Sequence, residues 1–186
     1  MRKLIALGAT LAIVLFAAGS AVAETWSTED GDFAVKFWKE MFKGGGPGQP
    51  GNTLMALGQG FNFRQATLES VVYDGTVDRY ITTYVGGKLV LNSQGPWLNF
   101  GKLKATDITA TNSSHMDHST GVLDFVLTFS GTFKNHPGVS FEVEARYTGV
   151  PEVKYDMDGD YEFQRGYDYS VDITITGLRS GPRKIH

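Results

Sequence analysis

Residues 139–148, V-S-F-E-V-E-A-R-Y-T, alternate strictly between apolar and polar side chains. Because successive side chains of a β-strand point to opposite faces, a period of two over this length predicts a strand with one buried and one solvated face. The predicted buried set is Val139, Phe141, Val143, Ala145 and Tyr147. The same alternation recurs in residues 122–129 and 169–176. Three such strands need a shared core, so the chain is predicted to be an antiparallel, all-β protein.

The first 23 residues have the three parts of a secretory signal peptide. Arg2 and Lys3 give a positive start, residues 4–18 are almost wholly apolar, and Ala21-Val22-Ala23 is a small-x-small cleavage site. The apolar run is shorter than the roughly 20 residues that a membrane-spanning helix needs. We therefore expect cleavage after Ala23, export to the periplasm or the extracellular space, and no membrane span after cleavage. The rest, residues 24–186, is predicted to form a single β domain.

Charge and cysteine content exclude several classes of function. The chain has 17 Lys and Arg against 20 Asp and Glu, a net charge of −3, and the basic residues form no run. Nucleic acids and anionic membranes are recognised by clustered positive charge, so neither is an expected partner. The chain contains no cysteine, which excludes disulfides, thiolate catalysis and thiolate metal sites.

The N-terminal part of the domain has a different periodicity. Phe33, Phe37 and Met41 recur every four residues after Asp32, a residue that can cap a helix. This spacing predicts one short amphipathic helix over about 33–43. A Gly/Pro-rich loop over 44–51 would end it.

Strand patterns then occupy about 58–177, with turn signals at Asp74-Gly75, Gly86-Gly87 and Asp158-Gly159. Residues 112–120 are expected to be a polar loop, and the tail at 178–186 is expected to fray. About nine strands follow from these boundaries. Their spacing favours an antiparallel sandwich or a small closed barrel, with the short helix at its N-terminal side.

Asp156, Asp158 and Asp160 could converge on calcium, which takes six to eight oxygen ligands. An EF-hand loop, however, has glycine and glutamate where this run has Tyr161 and Tyr167. A hairpin turn at Asp158-Gly159 explains the same residues without a metal. No cofactor is therefore predicted, and calcium is the one that the sequence leaves open.

His115 and His118, with Asp117 between them, form a second candidate metal site. Two imidazoles and a carboxylate suit zinc or copper if the loop curls around the ion. A solvated polar loop is the alternative interpretation.

No catalytic constellation stands out, and no catalytic residue is assigned. A Gly-x-Ser-x-Gly elbow is missing. Glu142 and Glu144 share one face of the predicted central strand, and Asp124 lies on its neighbour, which would suit a hydrolase that uses acidic residues. Arg146 continues the same face, which favours a solvated charge ladder.

Aromatic residues supply the candidate ligand contacts, since tyrosine and tryptophan faces stack on sugars and line small-molecule pockets. The alternation places many of the Phe and Tyr residues in the core, among them Phe61, Phe63, Phe125, Phe129, Phe141, Tyr147 and Tyr169. The aromatic residues outside this regular pattern are Trp26, Trp97, Tyr155, Tyr161 and Tyr167. We therefore predict an exported, non-enzymatic β domain that binds a small or extended ligand, either a small molecule or a glycan. The alternatives are the acid-residue hydrolase and a surface or assembly protein that acts through exposed strand edges.

Overall fold

The computed structural model describes residues 23–32, 34–43, 46–49, 51–92, 101–155, 161–165 and 169–177. Within these ranges the chain forms eleven strands and no helix. The strands are β1 (Ala23–Ser27), β2 (Ala34–Phe42), β3 (Thr53–Gln59), β4 (Phe61–Asp74), β5 (Arg79–Leu91), β6 (Leu103–Asp117), β7 (Val122–Phe133), β8 (His136–Gly149), β9 (Glu152–Tyr155), β10 (Tyr161–Arg165) and β11 (Tyr169–Thr176). The predicted all-β class is confirmed. None of the described residues belongs to a helix long and apolar enough to cross a membrane.

All eleven strands belong to one sheet, in the order β1-β11-β8-β7-β6-β5-β4-β3-β2-β10-β9. Every neighbouring pair is antiparallel, as predicted. Strands β3 to β8 follow one another in chain order, so the centre of the sheet is a meander. The outermost strands are β1 and β9, which is where the assembly hypothesis would place contacts between molecules.

The central strand β8 has the predicted parity. Phe141, Val143 and Ala145 are buried, whereas Glu142 and Arg146 between and beyond them are exposed. These buried residues lie opposite apolar partners on both neighbouring strands, β7 and β11. The interior is therefore built from the face that the alternation indicated.

The sheet curls into a half-barrel whose concave face holds the core. The rings of Phe63 on β4 and Phe129 on β7 stack with centroids 4.4 Å apart. These strands are three positions apart in the sheet, which in a flat sheet would separate them by about 14 Å. The curl thus brings distant strands into contact and buries large side chains completely: Phe61, Phe63, Tyr84, Phe125, Phe133 and Phe141.

Irregular backbone on three adjacent strands, which we call the crease, contributes to this curl. Gln65 on β4, Gly86 on β5 and Asp107 on β6 all have positive φ, and the β5–β6 register shifts around Gly87. A Cβ atom on Gly87 would lie 2.7 Å from the Phe63 ring, so only glycine lets the two strands pack here. The hairpin turn predicted at Gly86-Gly87 is therefore wrong. The glycines form a bulge inside one continuous strand, because the same conformational freedom serves turns and bulges.

The helix predicted over about 33–43 is also wrong, because the chain forms β2 there. This strand pairs with β3 on one side and with β10 on the other. A register shift between Val35 and Phe37 interrupts its alternation, so the period of two typical of a strand was not visible in the sequence. A short helix is marginal on its own, whereas β2 pairs with β3 over residues 34–41 and with β10 over residues 38–42.

Other boundaries differ less. Residues 46–49 and 51 form a connection between β2 and β3, within the predicted 44–51 loop. The predicted polar loop at 112–120 is wrong up to Asp117, which is the last residue of β6. The turn predicted at Asp74-Gly75 is confirmed between β4 and β5. The predicted tail at 178–186 lies outside the described residues.

Candidate functional site

Several candidate residues lie where the structure gives no side-chain description. Trp97, Tyr167, Asp156, Asp158 and Asp160 are outside the described residues, so the calcium hypothesis stays a prediction. Tyr155 and Tyr161 lie opposite each other in the β9–β10 pair, and their side chains are outside the description. Trp26 is only 2% exposed and belongs to the core, which removes it as a ligand contact.

A pocket of about 380 Å³ lies at one end of the sheet, between the β4–β5 turn and the β6–β7 turn. We call it the tip pocket. Its lining residues are Tyr73, Asp78, Tyr80, His115, Met116, Asp117 and His118. It therefore combines the predicted histidine cluster with two tyrosines that the sequence analysis did not select.

Two exposed tyrosine rings form one wall of the tip pocket. Tyr73 on β4 and Tyr80 on β5 are directly paired, and their ring centroids are 5.1 Å apart. The two side chains are 53% and 49% exposed, because the hairpin extends beyond the core. Tyrosine rings in such a position offer an apolar face together with a polar hydroxyl.

Asp78 contacts both Tyr73 of the tyrosine wall and His115 on β6. The Tyr73 hydroxyl donates to Asp78 Oδ1 over 2.7 Å, and this hydrogen bond to the carboxylate raises the pKa of Tyr73. His115 Nδ1 lies 2.8 Å from the Asp78 carbonyl oxygen and 3.5 Å from Asp78 Oδ2. Because a carbonyl oxygen only accepts, Nδ1 carries the proton. The other ring nitrogen, Nε2, is then an acceptor when the imidazole is neutral.

Asp117 begins the β6–β7 turn. It accepts hydrogen bonds from the Ser119 amide (2.8 Å), the Ser119 hydroxyl (2.7 Å) and the Thr120 hydroxyl (2.8 Å). These bonds, that of the Ser119 side chain first, lower the pKa of Asp117 to about 2. The carboxylate is therefore ionised at neutral pH, and its oxygens are used by the turn.

The tip pocket does not assemble the zinc or copper site that His115 and His118 suggested. Among the described residues, no group of three or more His, Cys, Asp or Glu side chains could hold a metal ion. His115 is turned towards Asp78, His118 is exposed, and Asp117 is bonded within its own turn.

A second pocket, of about 400 Å³, lies on the outer face of β1, β11, β8 and β7. We call it the acidic groove, after Glu142, Glu144 and Asp172, which line it together with threonine and serine side chains. Glu144 Oε1 accepts a hydrogen bond from Arg146 Nε (2.8 Å) and lies 2.7 Å from Arg146 Nη2. Asp124 is not part of the groove lining and instead pairs with Arg79 at 3.3 Å. This arrangement matches a solvated charge ladder.

A buried polar pair lies inside the half-barrel. Glu40 on β2 and Asn112 on β6 are 4% and 2% exposed, and the Asn112 amide nitrogen donates to Glu40 Oε1 over 3.2 Å. Neither residue was predicted from the sequence. Asn112 had a detectable signal, because it falls in the apolar half of the β6 alternation after Ala110, but Glu40 was hidden by the helix prediction.

These three features carry different chemistry: the tip pocket offers aromatic faces and acceptors, the acidic groove offers hydroxyls and neutralised carboxylates, and the buried pair offers acceptors inside the core. Their assignment rests on geometry alone. No family model, no curated protein and no solved structure matches this chain.

Proposed function

We propose that this chain is an exported, non-enzymatic β domain that binds a small organic ligand in the tip pocket. The observation that carries the proposal is the pair of exposed tyrosine rings beside Asp78 and His115 in one cavity of about 380 Å³. Ligand sites typically have volumes of about 300–1,000 Å³, with apolar or aromatic walls and a few fixed polar groups. The tip pocket has a volume in this range, one aromatic wall and fixed polar groups.

The tip pocket suits a ligand better than the acidic groove does. In the groove, Glu144 is engaged by Arg146, and Thr25 and Thr174 bond to each other at 2.9 Å. The groove therefore resembles a self-satisfied polar surface. The tip pocket instead exposes two large rings. Unless a ligand covers them, these rings cost free energy because they order water.

Binding without catalysis is the function that the lining chemistry favours. None of the seven lining residues of the tip pocket is a serine, cysteine or lysine, the usual nucleophiles. Three of its four ionisable acid and imidazole groups are bonded to neighbouring groups of the fold: Asp78 accepts from Tyr73, Asp117 closes a turn, and His115 is bonded to the backbone of Asp78. Such groups hold their positions and serve as fixed contacts for a ligand.

Export before folding is part of the proposal. Residues 24–27 of strand β1, which pair with β11, lie on the mature side of the predicted cleavage site. The intact mass of the protein recovered outside the cytoplasm tests this directly. A mass that starts at Glu24 is expected, and a retained Met1 would contradict the export route.

Ligand binding is tested with a panel of mono- and oligosaccharides, amines, alcohols and carboxylic acids. Binding is followed by the shift in melting temperature. Tyr80→Ala should abolish the shift caused by any hit, and Thr128→Ala in the acidic groove should leave it intact. A hit that survives Tyr80→Ala and is lost with Thr128→Ala would move the site to the acidic groove.

A further inference from the structure

The lining of the tip pocket carries negative charge. Asp78 and Asp117 contribute two carboxylates, and none of the seven described lining residues is lysine or arginine. Asp78 accepts from the neutral hydroxyl of Tyr73, and Asp117 accepts from neutral hydroxyls and one amide of its own turn. These donors hold the carboxylates in position and leave their charge in place. Arg79, which follows Asp78 in the chain, pairs with Asp124 at 3.3 Å.

His115 balances the charge of Asp78 only in its protonated form. Its Nδ1 atom lies 3.5 Å from Asp78 Oδ2, which is an ion pair when the ring is an imidazolium and a contact of a neutral ring otherwise. The Asp78 side chain is 68% exposed at the mouth of the pocket. At about pH 8, where imidazoles are ordinarily neutral, the charge of the pocket therefore favours a cation as its ligand.

The apolar part of the lining also suits a cation. Tyr73 and Tyr80 expose their rings side by side, and the negative face of a tyrosine ring attracts positive charge. Met116 adds a polarisable thioether to the same lining. Together these side chains offer a surface that can cover alkyl groups attached to a charged nitrogen.

The form of the cation follows from the acceptors of the pocket, several of which already hold protons of the fold. Asp117 accepts three hydrogen bonds within its turn, and Asp78 Oδ1 accepts from Tyr73. The Asp78 carbonyl oxygen faces His115 Nδ1. A primary ammonium group brings three donors, each of which needs an acceptor when it leaves water. A quaternary ammonium group brings none, so it gains from charge and ring faces without that cost.

We propose that the ligand of the tip pocket carries a quaternary ammonium group, which lies against the rings of Tyr73 and Tyr80 beside the carboxylate of Asp78. The cavity of about 380 Å³ has room for a trimethylammonium head and a short chain. The proposal rests on the proposed function of the same pocket and adds the chemical class of the ligand.

Choline and 3,3-dimethylbutan-1-ol test the proposal, because they share one shape and differ in whether the central atom is a charged nitrogen or a neutral carbon. Each is titrated into the mature protein, residues 24–186, at about pH 8 and about 0.1 M salt, and the dissociation constant is read from the backbone amide shifts of residues 73–80. Choline should bind about tenfold more tightly than the alcohol, through its attraction to the rings and the carboxylates. Ethanolamine, the primary ammonium of the same chain, should bind less tightly than choline.

Four variants assign the preference to particular side chains. Asp78→Asn removes one charge, keeps an acceptor for Tyr73 and suits the positive φ of 53° at this position. It should weaken choline binding by about threefold and leave the alcohol unchanged. Glu142→Gln, which removes one charge from the acidic groove, should change neither by more than about 1.5-fold, because salt screens distant charges. Tyr80→Leu should reduce the preference for choline, whereas Tyr80→Phe, which keeps the ring, should retain it.

The outcomes separate the two proposals. Equal binding of choline and the alcohol, tighter binding of ethanolamine, or a preference for choline that survives both Asp78→Asn and Tyr80→Leu would overturn the ligand class and leave the tip pocket as the site. Binding of another panel member there without binding of choline would do the same. If no probe and no panel member shifts the amides of residues 73–80, both proposals fail.

Discussion

Glu40 and Asn112 are four strands apart in the sheet, yet the Asn112 amide nitrogen lies 3.2 Å from Glu40 Oε1. A flat sheet would separate these strands by about 19 Å. The hydrogen bond therefore joins opposite walls of the half-barrel, across a core made mostly of apolar side chains. Polar contacts of this kind favour one arrangement of a core, because any other breaks the hydrogen bond between two buried groups.

The first prediction concerns this pair. Asn112→Leu and Glu40→Met should each lower the free energy of unfolding by about 1–3 kcal/mol, because each leaves a buried polar partner behind. The double variant should lose less than the sum, since both polar groups are then replaced. Urea unfolding of the unmodified protein, the two single variants and the double variant measures the coupling free energy between Glu40 and Asn112. Losses that add within about 0.5 kcal/mol would mean that the pair does not act as a unit.

The second prediction concerns the crease across β4, β5 and β6. Gly87→Ala should destabilise the protein by about 1–3 kcal/mol, because the new methyl group would collide with the Phe63 ring. Gly138→Ala is the matched control, since nothing lies within 4 Å of its added Cβ and its φ is not positive. Thermal melts compare the two. A silent Gly87→Ala would show that the strands do not approach each other as closely here.

The third prediction concerns the parity of β8. Phe141 is 1% exposed, and its ring centroid lies 4.8 Å from that of Phe133. Phe141→Ala should therefore lower the free energy of unfolding by about 3–5 kcal/mol. Glu142→Ala, on the exposed face, should change stability by less than about 0.5 kcal/mol. Denaturant unfolding decides between them. Reversed sensitivities would require a register shifted by one residue.

A comparison of β8 with β2 shows how much of the fold can be predicted from the sequence. In β8 the alternation is unbroken, so it predicted the strand and its buried face correctly. In β2 a register shift breaks the alternation, and the remaining spacing of four resembles a helix. Gly86-Gly87 shows the same limit, because local sequence cannot separate a turn from a bulge that is decided by packing against Phe63.

The candidate site was only partly predictable, for a related reason. His115, Asp117 and His118, which the sequence grouped as a candidate metal site, line one side of the tip pocket. Tyr73 and Tyr80 were not selected, because their strand pattern resembles that of core residues, and only the length of the hairpin beyond the core exposes them. Pairing across strands that are distant in sequence likewise hid the contact between Glu40 and Asn112.

The fourth prediction concerns acid. The pKa of Asp117 is lowered from its ordinary value of 3.8 to about 2 by the β6–β7 turn, so its stabilising contribution is complete above pH 4 and is lost as the pH falls towards 2. Asp117→Asn should remove this part of the acid sensitivity. Carboxyl titration by NMR provides the direct measurement, and Ser119→Ala should raise the pKa of Asp117 towards 3.8. An unchanged titration in Ser119→Ala would show that the turn does not hold the carboxylate.

The most direct test of the account is a backbone amide map of the uniformly ¹⁵N-labelled mature protein, titrated with the tightest ligand from the panel. If the tip pocket is the binding site, the largest chemical-shift changes will fall in residues 73–80 and 112–118, and residues 128–130 and 142–144 of the acidic groove will change little. Largest changes in the acidic groove, with residues 73–80 unaffected, would contradict it.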